Sequence, residues 1–252
     1  MTRTAIILLL FASCAPASAK AAIIYREIFP NNGGSNQDLS FDGWQIHFDS
    51  DAEQISTGGN SPTVSQPNNT DPGVNSFPSN APPVAGYASI AATVNTNYLF
   101  WTSEYTVDRT ADSVTSISWW QANTSSEASS QAAVRIGTQW YASTDTFSNP
   151  AAANFNSAYQ RTLDFTTATW QLLDFVPGTS LALGAATTLP AGNLIAFGWY
   201  VDSSEGARLR MDTFEINAVP VPEPSTGLLL TAAGFLLLSR RRSRRNRLPS
   251  CG

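Results

Sequence analysis

Hydrophobic and polar positions alternate in short runs along most of the chain, and the runs are too brief for the helical period. Strand-like segments fall at Ala22–Ile28, Trp44–Phe48, Tyr98–Val107, Val114–Gln121, Ala132–Ala142, Trp170–Val176, Leu194–Val201 and Ala207–Ile216. Within Val134-Arg-Ile-Gly-Thr-Gln-Trp140 the pattern divides around Gly137, as in two strands joined by a tight turn. Polar clusters separate the runs, among them Asn31-Asn-Gly-Gly34, Asn123-Thr-Ser-Ser126 and Pro190-Ala-Gly192. Strands this short and this regularly spaced predict an all-β chain, an antiparallel, jelly-roll-like β-sandwich spanning 20–218. One stretch breaks the pattern. Residues 50–86 are dominated by Ser, Asn, Pro, Gly, Thr and Asp and read as a long flexible loop.

The two ends follow other rules. Arg3, the apolar run Ala5–Ala12 and the small residues Ala17-Ser18-Ala19 form a secretory signal segment over 1–19, cut by signal peptidase between Ala19 and Lys20. A lipoprotein reading would instead use Cys14, but Phe11 fits such a box poorly. At the C-terminal side, Val221-Pro222-Glu223-Pro224-Ser225 precedes an apolar run from Gly227 through Leu228, Leu229 and Leu230 to Phe235, Leu236, Leu237 and Leu238. Arg240, Arg241, Arg242, Arg244, Arg245 and Arg247 follow it. Twelve residues make roughly 18 Å of helix against a hydrocarbon core of about 30 Å, so flanking residues must extend the span. A buried core helix is the competing reading for so short a run. Six arginines in eight positions count against it, because no protein core accommodates them, and they hold that end in the cytoplasm.

A Pro-Glu-Pro stretch, a short hydrophobic helix and an arginine cluster in that order resemble the PEP-CTERM sorting signal, over about 219–247. The resemblance implies recognition by an exosortase, cleavage near the Pro-Glu-Pro, and release from a transient anchor in the inner membrane of a Gram-negative bacterium. The destination it implies is the cell surface or extracellular matrix, often beside exopolysaccharide. The tail 248–252 runs past the usual end of such signals.

Charge and chemistry narrow the role of the body. Seven cations stand there against eighteen of the nineteen acids, a net charge of −11, which repels nucleic acid and anionic lipid. Both cysteines, Cys14 and Cys251, lie in segments expected to be removed, leaving no disulfide and no thiolate site. The single histidine, His47, has no Gly-x-Ser-x-Gly elbow beside it and no partner histidine for zinc. Glu104 and Asp108 would share a strand face, yet solvated faces produce such pairs routinely. The body therefore reads as non-enzymatic, with a structural or adhesive role, and carbohydrate binding as the alternative.

Two candidate sites follow. Tyr25-Arg-Glu-Ile-Phe29 and Arg210-Met-Asp-Thr-Phe214 resemble the terminal strands of carbohydrate-binding jelly rolls, and the resemblance implies a structural calcium ion between Glu27 and Asp212. The competing reading pairs Glu27 with Arg208 or Arg210. Among the seven tryptophans, alternation turns Trp119 inward with Ile117 and sends Trp120 outward as the glycan candidate. Trp44, Trp101, Trp140, Trp170 and Trp199 are assigned to the core.

Overall fold

The structure is a computed structural model. It describes residues 20–29, 37–38, 43–48, 63–65, 87–91, 96–123, 128–148, 159–176, 179–203 and 208–221. The signal segment 1–19, the sorting motif after Val221 and the apolar and arginine runs lie outside the described residues. Among the described residues no helix is long and apolar enough to cross a membrane.

Every described element is a strand: β1 (Ala22–Glu27), β2 (Gln37–Asp38), β3 (Trp44–Phe48), β4 (Thr63–Ser65), β5 (Tyr87–Ala91), β6 (Thr96–Thr102), β7 (Asp112–Asn123) and β8 (Ser129–Ile136). Then come β9 (Gln139–Ser143), β10 (Phe147–Ser148), β11 (Tyr159–Asp164), β12 (Trp170–Val176), β13 (Ser180–Thr187), β14 (Leu194–Ser203) and β15 (Arg208–Pro220). All pairings are antiparallel. The first sheet runs β11-β7-β15-β5-β4-β2, with β1 also on β15. The second runs β13-β12-β9-β8-β14-β6-β3, with β10 also on β8.

The sheets pack face to face through aromatic rings. Trp199 of β14 meets Phe214 of β15 edge-on at 5.0 Å and stacks on Trp44 of β3 at 5.1 Å; Phe197 stacks on Phe214 at 5.6 Å. Trp44, Trp119, Trp199, Phe100 and Phe214 are all buried. Rings at these separations contribute about 0.5–1.5 kcal/mol per pair beyond the area they bury. One polar group bridges the layers. Gln121 of β7 accepts hydrogen bonds from Trp119 Nε1 and from Ser130 Oγ of β8, and donates through Nε2 to the Phe147 carbonyl. A buried amide satisfied on both ends costs the core little.

Differences from the sequence expectation have local causes. The predicted strand Tyr98–Val107 stops at Thr102, where the Thr102 hydroxyl accepts the Glu104 N–H and turns the chain; Val107 forms only an isolated bridge to Leu194. Glu104 and Asp108 therefore share no strand face, and Asp108 instead accepts bonds from Thr110 N–H and hydroxyl. Residues 132–142 divide at Gly137 (φ 60°), where a left-handed turn suits glycine. Within 50–86, expected to be a loop throughout, Thr63–Ser65 forms β4. β11 and β13 are strands that the apolar pattern does not mark, because the first is mostly polar and the second is rich in Ala.

Candidate functional site

Alternation along β6 sends Tyr98 and Phe100 into the inter-sheet core and Leu99 and Trp101 to the opposite side of the same sheet. Register extends that outer face sideways. Trp101 lies opposite Gln45 on β3 and Gly198 on β14; Gly198 lies opposite Ala133 on β8, Ala133 opposite Ala142 on β9, and Ala142 opposite Gln171 on β12. The centre of the row is therefore three small residues. Gly198 cannot be otherwise, since a Cβ there would stand 1.9 Å from the Phe100 carbonyl oxygen.

A floor this thin lets the sheet curl. Four strands separate β12 from β3, so in a flat sheet their residues would be about 24 Å apart. Instead the Phe175 ring of β12 meets the His47 ring of β3 edge-on at 5.1 Å. The curled face encloses a second apolar cluster of Leu99, Trp140, Leu173, Leu181, Ala196 and Tyr200, with Trp101 and Phe175 partly exposed at its rim. Trp101 stacks on His47 (6.1 Å, 23°) and meets Trp140 edge-on (5.5 Å, 71°). This corrects one assignment. Trp44, Trp170 and Trp199 belong to the inter-sheet core and Trp140 to the second buried cluster on the other side of the second sheet, whereas Trp101 is only partly buried at the rim of that cluster. Alternation alone cannot tell two packed faces from one packed and one wet. The run Asn97-Tyr-Leu-Phe-Trp101, apolar on both faces, was the available signal.

Trp120 lies on the outer face of the first sheet, half-buried, opposite Gln160 of β11 and Asp212 of β15. Its cross-strand neighbours are polar, and among the described residues no aromatic side chain lies opposite it.

Glu27 and Asp212 are brought together. β1 pairs with β15 so that Glu27 faces Phe214 and Arg26 faces Glu215, the latter two joined by a 3.1 Å ion pair. Glu27 turns onto its own backbone, its Oε1 accepting the N–H groups of Ile28 (2.8 Å) and Phe29 (2.7 Å). A bulge after Asp212 does the same on β15, where Oδ1 accepts the Thr213 N–H at 2.6 Å. Phe29 and Thr213 both adopt positive φ, 48° and 50°, an uncommon conformation for side chains of their bulk. Burial raises the Glu27 carboxyl, the two backbone donors oppose it, and the charge of Glu104 adds to the rise. Burial likewise lifts Asp212 to about 7, against the Thr213 bonds and with help from the Glu27 charge.

Two adjacent carboxylates with suppressed ionisation are suited to a divalent cation. Calcium takes six to eight oxygens, however, and among the described residues no group of three or more His, Cys, Asp or Glu side chains is placed to hold a metal. Glu27 and Asp212 would be the carboxylates of such a site; the Asn31–Gly34 loop lies outside the described residues. Asp212 is only 1% exposed, which keeps the pair out of reach of a substrate.

No protein-family model matches the chain, and no curated protein matches it. Among solved structures it is similar to TmCBM61 in complex with β-1,4-galactotriose, with TM-score 0.38 and 10% identity, covering 71% of this chain and 92% of that one. It is also similar to the family 11 carbohydrate-binding module of the cellulosomal cellulase Lic26A-Cel5E of Clostridium thermocellum. There the TM-score is 0.41 and the identity 12%, over 77% of this chain and 99% of that one.

Proposed function

We propose that the chain is an exported, non-enzymatic jelly-roll-like module that binds a polysaccharide along the outer face of its second sheet. In this reading signal peptidase and an exosortase process the two ends, the apolar run 227–238 is a passing anchor in the inner membrane, and the body ends at the cell surface or in the matrix. The observation that carries the binding claim is Trp101. Its ring is held in place by His47 and Trp140 while part of it stays in solvent, and Gln45 stands beside it. A rigid aromatic face loses little entropy on stacking against a sugar ring, and a neighbouring amide can take a hydroxyl. The net charge of −11 favours a neutral glycan over a polyanion.

A purely structural role in the matrix is the second reading. It draws on the outer cluster being filled by the protein's own side chains, with Trp140 4% and Tyr200 3% exposed. A glycan array followed by calorimetry separates the two. Trp101→Ala should weaken binding about tenfold or more, the equivalent of about 1.4 kcal/mol, and Trp120→Ala should leave it unchanged. Silence across neutral polysaccharides, or equal losses from both variants, would remove the binding claim. Calcium, if held by Glu27 and Asp212, would brace the β1–β15 seam and take no part in recognition.

A further inference from the structure

β15 is an interior strand of the first sheet and stays paired to its last residue. β7 lies along it from Leu209↔Asn123 to Pro220↔Asp112, with bulges between Asp212 and Glu215 and between Asn217 and Ala218. On the other side β5 pairs with Arg208 to Met211 and β1 with Phe214 to Ala218. Ala218, fully buried, is thus flanked by Val114 of β7 and Ala22 of β1. Past the strand, the Val221 N–H still donates to the Ala111 carbonyl at 2.7 Å. Pro222 comes next, and with no N–H it cannot carry the ladder on. The paired backbone and the Pro-Glu-Pro stretch therefore meet at Val221.

The other end of the body emerges beside it. Ala22 opens β1 opposite Ala218, and the same register continued sets Lys20 level with Pro220. A signal cut between Ala19 and Lys20 leaves β1 whole.

We infer that the fold sets the limit of the sorting cut in the same way: Val221 and the rest of β15 are closed to the processing protease, and the released body ends at Pro222 or later. The inference rests on the sorting reading proposed above. A protease binds its substrate as an extended chain, largely through the main-chain N–H and C=O groups that a ladder also uses. At the least, the residue that supplies the scissile carbonyl must leave the fold. Val221 is held by Ala111, Val219 and Pro220 by β7, and Ala218 from both sides, so each bond farther back breaks more of the sheet. A cut inside β15 would also strip the strand that joins β1 and β5 to β7, leaving unpaired edges. Both cuts then fall just outside the β1–β15 pair, and release leaves the seam of Glu27 and Asp212 intact.

Intact-mass analysis of the body recovered from outside the cell tests the inference. A C-terminal residue at Pro222 or later is expected. An end at Val221 or earlier overturns the inference and leaves sorting in place, whereas recovery with 227–247 still attached overturns the sorting reading and the inference with it. Proteinase K acting on the full chain in detergent gives a readout independent of the cell's own enzymes. Within 208–252 its first cuts should all fall after Val221, and early cuts inside 208–221 would overturn protection by the ladder. Ala218→Asp places a charge between β1 and β7 and should speed cutting within 212–221 about tenfold with the tryptophan emission of the core retained; an unchanged rate counts against the ladder as the barrier. The two wild-type measurements stand even if that variant misfolds.

Discussion

Replacing Asp212 by Asn should make the protein more stable at neutral pH and less sensitive to pH. The Asp212 carboxyl is lifted from 3.8 to about 7, chiefly by burial. Below the lower value both folded and unfolded chains carry the proton, so the group has no effect. Between the two values the unfolded chain releases the proton while the folded chain keeps it, and stability falls as pH rises. Above about 7 the loss is complete. A gap of about three pKa units corresponds to about 4 kcal/mol, a large part of a typical folding free energy. Glu27 is shifted in the same direction and adds to the slope. Asn keeps the size and an acceptor for the Thr213 N–H, so Asp212→Asn removes the charge and leaves the bulge intact. Urea denaturation at a series of pH values from 4 to 8 measures both chains. Wild-type stability should decline across the interval, and the variant should decline less and lie above it at pH 8. A wild type that gains stability over this range, or a variant weaker at every pH, would refute the burial of an uncompensated acid. Calcium reverses the expectation for wild type alone. If the pair binds the ion, calcium at a hundredfold excess over Kd should restore about 2.7 kcal/mol at pH 8, and Asp212→Asn should not respond.

Gly198→Ala should destabilise the fold by about 3 kcal/mol or more, because the new Cβ meets the Phe100 carbonyl and the Trp101 backbone, not a flexible side chain; chemical denaturation would show it, and an unchanged midpoint would mean the strands are not so close. Gln121→Leu should cost about 2 kcal/mol by stranding the Trp119 indole N–H and the Ser130 hydroxyl in the core, whereas a neutral effect in the same assay would show that the bridge is dispensable. Removing Val221 to Arg247 should send the body into the periplasm or medium, and unchanged surface retention on cell fractionation would rule out sorting through that segment.

Much of the layout was legible because strand pairing leaves a period of two in the sequence. Ile117 and Trp119 against Trp120, the hairpin at Gly137, and Glu27 near Asp212 all follow from local pattern or from the likeness of two segments. The structure seats them accordingly, with Trp119 buried, Trp120 half-buried and Glu27 on a strand paired to that of Asp212. The address proposed for the two ends rests on the sequence alone, since it is argued from composition and order. Tertiary structure decided the rest. Whether a tryptophan one place along a strand faces core or cleft depends on how far the sheet bends, and the small residues that line the bend, Gly198, Ala133 and Ala142, are far apart in the chain and adjacent only once β14, β8 and β9 are paired. The ionisation of Asp212 likewise depends on what covers it. Period and composition report which side chains share a face; curvature and burial emerge only when distant faces meet.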